Sequence, residues 1–345
     1  MCPLLQPPLY LDHAATTPLL PQARDAMVAG FGLWANPSSP HRAGRAARAA
    51  LEEARDRVKA ALDWRGEVIF TSGASEALAI AMTRSLAPLV AVSAVEHEAV
   101  LRHGGAAQIL PVDAAGLVSA GACALPGLVA VQQVNNETGV IQPIDAIAAV
   151  VRAAGGLLLA DCAQGAGKIA LPDADMVVLS AHKFGGPVGI GALLLRDAGL
   201  IHPSGGQERG YRSGTENLPG VLAMAAALEA GSAWMAEATQ LRARLETALT
   251  AAGAEIVAAA SPRIATIGAY RMPGRAAAAQ LIRFDGQGIA ISAGSACSSG
   301  SLRVSHVLTA MDYPHAIEVI RVSIGRETTA EDIDRFAAAW AQVAR

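Results

Sequence analysis

The stretch "MVVLSAHKFGGPVGIGALLLR", residues 176–196, sets two unbroken apolar runs on either side of a lysine and a cluster of glycines. Both "MVVL" and "GALLL" are continuous in apolarity, not alternating, which is the pattern of strands covered on both faces, as in the sheet of an α/β domain. Lys183 falls just past the end of the first run. An ammonium brought out of water there costs several kcal/mol unless something compensates. A salt bridge or a snorkelling stem would do so structurally. A chemical compensation also exists, because a desolvated lysine gives up its proton more readily and its neutral amine can condense with a carbonyl. The segment alone leaves both open.

Outward from this stretch the same pattern recurs in "EVIF" (67–70), "LVAVSAV" (89–95), "LVAVQQV" (128–134) and "GLLLADC" (156–162). Helical patterns such as "SEALAIAMTRSL" and "PIDAIAAVVRAAG" lie between several of them, which predicts a mostly parallel sheet. Residues 219–252 read as one long helical stretch. A mixed segment follows, with "IRVSIG" (320–325) as a strand and "AEDIDRFAAAWAQVA" (330–344) as the last helix. The expected organisation is a large domain over 13–235 and a smaller α+β domain formed by 1–12 and 236–345.

A chain of 345 residues, 52% hydrophobic and 17% charged, supports cores of this size. Its 27 basic and 30 acidic residues are interspersed, so no basic stripe suggests nucleic acid and no polybasic tail suggests a membrane surface. Small molecules or proteins are the expected partners. Cys2, Cys123, Cys162 and Cys297 form no C-x-x-C pair, which argues against a zinc ribbon or a disulfide framework and fits a reducing cytosol. The start of the chain lacks the features of a signal peptide, and no apolar run reaches the ~18 residues of a membrane span. A cytoplasmic protein without a metal site is expected.

In open α/β sheets, ligands sit beyond the carboxyl ends of the strands. Here those ends carry "TSGAS", "EHE", "NNETG", "DCAQ" and "SAHK". The first places Gly73, Ala74 and Ser75 at a helix start, suited to a phosphate and equally to an ordinary cap by Ser75. Asp161 follows four apolar residues, and a buried carboxylate demands a cation. That cation is either an arginine or a protonated ring nitrogen of a ligand. His97 reads as a helix-start histidine bonded to backbone, or as a ring that stacks on a ligand. Lysine for an aldehyde, aspartate for a ring nitrogen, a glycine-serine turn for a phosphate and an imidazole for a ring face together compose a pyridoxal-phosphate site.

These segments carry a resemblance. From "YLDHAATTP" at Tyr10 through "NPSSPHRAGR", "FTSGASEA", "VEHEAV", "VNNETGVIQPI", "DCAQGAGK", "SAHKFGGPVGIGAL", "RSGTENLPG" and "SAGSACSSGSL" to "IRVSIGR" ending at Arg326, the chain resembles the cysteine desulfurases, in the class V aminotransferase-like group of fold-type I pyridoxal-phosphate enzymes. The surroundings of Cys297 are similar to the long-loop subgroup. The resemblance implies an α/β fold with a mostly parallel sheet in the large domain. It implies that Lys183 carries the cofactor covalently, that Asp161 pairs with its ring nitrogen, and that Gln164 bonds the ring hydroxyl. His97 would stack on the ring and act as an acid or base. Ala74, Ser75, Ser180 and His182 would hold the phosphate, joined by Thr215 reaching from the partner subunit of a homodimer. Asn136 and Arg321 would fix the carboxylate of the substrate, L-cysteine, the arginine because its planar fork matches a carboxylate. Cys297 would be the nucleophile that takes the substrate sulfur as a persulfide and passes it to an acceptor protein, such as an iron–sulfur scaffold.

The chain departs from the family pattern in the helix after the phosphate turn, where "SGASEALAI" is two residues shorter than usual. It also stops at Arg345, without the extension through which long members meet scaffold proteins. Alternatives on the same fold are a selenocysteine lyase, a class V aminotransferase, and a non-catalytic sulfur-relay protein. Cys297 and its surroundings speak against the aminotransferase, and retention of Lys183 with Cys297 speaks against the relay protein.

Overall fold

The computed structural model describes residues 8–294 and 304–345. Cys2 and Cys297 therefore lie outside the described residues. The chain enters on a short strand, β1 (Leu9–Tyr10), followed by α1 (Pro21–Phe31) and α2 (Arg42–Ala61). It then lays down the main sheet with β2 (Glu67–Thr71), α3 (Ala74–Arg84), β3 (Leu89–Ser93), α4 (Glu98–Leu101), β4 (Gln108–Leu110), β5 (Leu128–Gln132), α5 (Ile144–Ala153), β6 (Leu157–Asp161), β7 (Met176–Ser180) and β8 (Gly191–Leu195).

These seven strands are ordered β2-β8-β7-β6-β5-β3-β4. β4, β3, β5, β6 and β7 run parallel, while β8 is antiparallel to both β7 and β2. The continuous apolarity of the strands has its cause in two cores. Val68, Phe70, Val129, Val131, Leu158, Val177 and Leu194 pack on one face with residues of α1, α2, α5 and α6 (Leu218–Glu229). Their neighbours Ile69, Leu128, Ala130, Leu159, Val178 and Leu193 pack on the other face with α3 and α4. With both faces covered, alternate residues are apolar on each side and the period of two disappears from the sequence.

The stretch 219–252 is two helices, α6 and α7 (Met235–Ala251), not one. Gly231 takes φ +66° between them, a backbone conformation that glycine adopts without the cost a Cβ imposes. Beyond α7, a small antiparallel sheet of β9 (Glu255–Ile256), β10 (Ile267–Arg271) and β12 (Val319–Ser323), ordered β12-β10-β9, is packed by α7, α8 (Ala277–Asp285) and α10 (Ala330–Ala344). Phe284 stacks on Phe336 at 5.1 Å in this core, beside the buried Trp340. Leu9 and Leu11 join the same core, and β1 pairs in parallel with β11 (Ile289–Ala290). The short helix α9 (His306–Ala310) precedes β12. No helix among the described residues is long and apolar enough to cross a membrane.

Candidate active site

The carboxyl ends of β3, β5, β6 and β7, the turn after β2 and Arg321 in the middle of β12 line one cleft of about 830 Å³. Ala74, Ser75, His97, Asn136, Asp161, Gln164, Ser180, His182, Lys183 and Arg321 all border it. Thr215 does not border it and is exposed.

Lys183 lies where β7 ends in a short turn before the chain reverses into β8. Its Nζ donates to the carbonyls of Ala14 at 2.7 Å and Ala15 at 2.9 Å. Burial, aided by the positive charge of Arg321 and opposed by Asp12 and Asp161, brings its ammonium down from 10.5 to about 8. The desolvated lysine anticipated at this strand end is thus present, held by backbone carbonyls and with no carboxylate hydrogen-bonded to it among the described residues.

Asp161, the last residue of β6, is buried. Its Oδ1 accepts the N–H of Ala163 at 2.9 Å, and among the described residues it has no ion-pair partner within salt-bridge distance. Burial pushes its carboxyl up, against the N–H bond and the charges of His97 and Lys183. A ring cation in the cleft would supply what the carboxylate lacks. Gln164 donates Nε2 to the carbonyl of Ala14 at 2.9 Å, and its buried Oε1 has no partner. That unpaired oxygen suits the hydroxyl of a ring beside Asp161.

At the phosphate end, the helix-capping reading of Ser75 does not hold. The N-cap of α3 is Gly73, with φ +152° and no side-chain cap, so the orphan N–H groups of the first turn remain available to an anion. A Cβ at Gly73 would meet nothing within 4 Å, which leaves a cradle open to the cleft. Gly191 of β8 packs against it, for a Cβ there would lie 2.7 Å from the Cα of Gly73. Ser180 is buried, and Nδ1 of His182 lies 3.2 Å from Oγ1 of Thr16. Burial and then the charges of Lys183 and Lys168 hold the His182 imidazole down at about 4.

His97 is bonded to backbone at a helix start, where it caps α4 with Nδ1 accepting the N–H of Ala99 at 3.1 Å, and it also borders the cleft. An acceptor at Nδ1 puts the proton of the neutral ring on Nε2. Desolvation by the cleft walls lowers its pKa, with Asp161 acting the other way. The preceding Glu96 is fully buried, and its Oε1 accepts from Ser93 Oγ at 2.6 Å and from the N–H of Gln132 at 2.7 Å. Burial raises its carboxyl to about 8. This carboxyl ties β3 to β5 and so fixes where His97 leaves the sheet.

Arg321 of β12 is buried and spends Nη1 on the carbonyl of Asn136 at 3.0 Å and Nη2 on Asp12 at 2.8 Å, while its Nε has no partner. The guanidinium is thereby held against the Asn136 turn with donor capacity left for an acidic ligand.

Four neighbours escaped the sequence reading. Asp12 pairs with Arg321. Glu137 and His306 border the cleft. Lys168 is buried, bonds the carbonyl of Gln164 at 3.1 Å, and has its ammonium lowered to about 7 by burial and the charge of Lys183. The placement of Asp12, Glu137 and Lys168 inside otherwise recognisable motifs is the signal that could have flagged them.

The residues present fit pyridoxal phosphate: an unpaired buried carboxylate, an unpaired amide oxygen, an open glycine cradle at a helix start and a lysine with a lowered pKa share one cleft. Comparison with known proteins agrees. The aminotransferase class-V family model matches residues 9–336. A cysteine desulfurase of Cereibacter sphaeroides is 37% identical, covering 95% of this chain and 93% of its own. A NifS-like protein from Rickettsia africae superposes with a TM-score of 0.87 at 29% identity, over 97% of this chain and 99% of that one. A structure described as SspA in complex with cysteine superposes with a TM-score of 0.80 at 29% identity, over 93% and 99% of the two chains.

Proposed function

Because this chain belongs to the class-V aminotransferase family, as a cysteine desulfurase dependent on pyridoxal phosphate, we propose that the cleft described above is its active site and that Cys297 is the sulfur-accepting thiol. Bound pyridoxal phosphate supplies an electron sink for the Cα of an amino acid. The observation that carries the assignment is the meeting of Lys183, Asp161 and Arg321 in one cleft.

Lys183 holds the cofactor covalently, since its lowered pKa leaves a usable amine near neutral pH. Asp161 holds the ring nitrogen, Gln164 the ring hydroxyl, and the α3 N-terminus with Ala74, Ser75, Ser180 and His182 the phosphate. His97, protonated at Nε2 and capping α4 through Nδ1, covers the ring and moves protons. Arg321 and Asn136 orient the carboxylate of L-cysteine. The thiolate of Cys297 attacks the substrate sulfur, the carbon–sulfur bond breaks, and a sulfur–sulfur bond forms. The carbon skeleton leaves as alanine once Cβ has gained a proton, and Cys297 keeps the persulfide for an acceptor protein.

Thr215 lies outside the cleft of its own chain, which supports the reading that it completes the phosphate site of a second subunit. Solubility in a reducing cytosol, sulfur transfer to an iron–sulfur scaffold, and a division into 13–235 and 1–12 with 236–345 belong to the same proposal. The test is the purified protein with L-cysteine: alanine should form one-for-one with mobilised sulfur. Cys297→Ser should keep the cofactor and lose both products. A serine variant making alanine at the native rate would remove Cys297 from the mechanism.

A further inference from the structure

Glu137 is 5% exposed and sits on a turn built for rigidity. The Oδ1 of Asn135 accepts the N–H of Glu137 at 3.0 Å and that of Thr138 at 2.9 Å, while Arg321 grips the carbonyl of the intervening Asn136. The carboxyl group on this turn touches two residues that flank residues 295–303 in sequence. On one side stands Gly294. A Cβ built there would lie 2.1 Å from Oε2 of Glu137, 2.7 Å from its Cδ and 3.0 Å from its Cγ, so the carboxyl occupies the volume any side chain at 294 would need. On the other side stands the buried Ser305, whose Oγ donates to the same Oε2 and accepts the N–H of Leu308 at 3.0 Å as the cap of α9. One oxygen atom thus meets both flanks of the stretch that contains Cys297.

Burying a carboxyl is unfavourable unless it is well bonded. Desolvation raises the pKa of Glu137, against the hydroxyl of Ser305 and the charges of His306 and Arg321. An amide or an apolar residue would fill the same space without that cost, and departures of this kind collect where function demands them.

We infer that Glu137 is a positioning residue, a staple that joins Gly294 to Ser305 and thereby sets the reach of the Cys297 thiol over the cleft. The inference rests on the assignment of Cys297 as the nucleophile. The thiol must come within about 3–3.5 Å of the substrate sulfur, and a 1 Å misplacement costs about 10²-fold. A base fixed at both ends restricts that error.

The experiment uses the full-length holoenzyme with Glu137→Ala, Glu137→Gln, Gly294→Ala, Ser305→Ala and the double variant Glu137→Ala/Gly294→Ala. Cofactor absorbance, kcat and KM for alanine formation, and the iodoacetamide alkylation rate of Cys297 by peptide mass spectrometry are measured for each. Glu137→Ala should keep the cofactor and hold KM within about two-fold while kcat falls about 10- to 100-fold and the alkylation rate of Cys297 changes. Glu137→Gln should recover most of the loss. Gly294→Ala should resemble Glu137→Ala, and the double variant should be no worse than the poorer single one, since the collision and the staple are the same contact. Ser305→Ala, which leaves the carboxyl in place, should lower kcat in the same sense and carries the test if Glu137→Ala does not fold. Native kcat in Glu137→Ala or Ser305→Ala, multiplying losses in the double variant, or cofactor loss in proportion to activity would overturn the inference. An active Cys297→Ser would instead overturn the assignment on which it rests, whatever Glu137 variants do.

Discussion

At the scale of single residues, the site is a set of groups moved away from their ordinary proton affinities by burial. Lys183 is the most consequential. With its ammonium near 8 in place of 10.5, about half of it is neutral at pH 8, against under about 1% for an unperturbed lysine. Cofactor-free protein should therefore reload pyridoxal phosphate faster as pH rises from 7 to 9, and Lys183→Ala should give no borohydride-trapped adduct. An adduct on another lysine would contradict the assignment. Glu96 makes an opposite demand. Its folded pKa of about 8 stands above the unfolded 4.5, so the folded state binds the extra proton between those values and stability falls as pH rises through that window. The slope from this one group is up to about 1.4 kcal/mol per pH unit. Glu96→Gln should flatten it in denaturant titrations at pH 5, 6.5 and 8. Among the thiols, burial raises Cys123 to about 11 and Cys162 well above its usual value, so alkylation at pH 8 should leave both unlabelled in the folded protein. Lys183, Asp161 and His97 were legible in the sequence because they follow apolar runs. Asp12 and Glu137 were not, because each acts on a partner 309 or 168 residues away, and one sequence carries no trace of such pairing.

At the scale of elements, the strands read from apolar runs were legible to within a residue or two and their mostly parallel arrangement was expected, whereas the short β1, β4, β9 and β11, the strand β10 and the direction of β8 were not. An apolar run such as "GALLL" looks the same in either direction. The connection 181–190 is nonetheless too short for the crossover that a parallel neighbour of β7 would need, and β8 is antiparallel for that reason. The break between α6 and α7 was hidden because alanine-rich sequence favours helix on both sides of Gly231. The segment before α6 has its own anchor. Arg55 of α2 and Glu208 form a buried ion pair at 2.8 Å, with Glu208 Oε2 also accepting the N–H of Phe70 at 2.8 Å. Glu208 and Arg209 adopt φ of +48° and +58°, a conformation disfavoured for residues with a Cβ. The anchor holds that backbone in place, and through it the run that leads to Thr215. Arg55→Met alone should cost about 3–5 kcal/mol in unfolding free energy, because it leaves a buried charge unpaired. Adding Glu208→Met should recover part of the loss. Equal destabilisation by single and double variants would show that the charge is not what matters.

At the scale of the whole molecule, α1 and the turn after it leave Val28, Phe31 and Trp34 exposed, and Thr215 presents its hydroxyl outside its own cleft. Light scattering should find a dimer, and Thr215→Ala should weaken cofactor retention without changing the mass. A fully active monomer would refute the shared site. The meeting of the chain's two extremes has a further consequence. Asp12 holds Arg321, and Ser323 Oγ accepts the N–H of Ala14, the residue whose carbonyl holds Lys183. Asp12 therefore has its arginine, and Ala14 the hydroxyl of Ser323, only once β12 has been synthesised. A nascent chain arrested after β8 has emerged but before Arg321 should carry the entire seven-stranded sheet and yet lack the guanidinium that would orient the carboxylate of an amino acid. The sheet thus precedes, in synthesis, the arginine that completes the cleft.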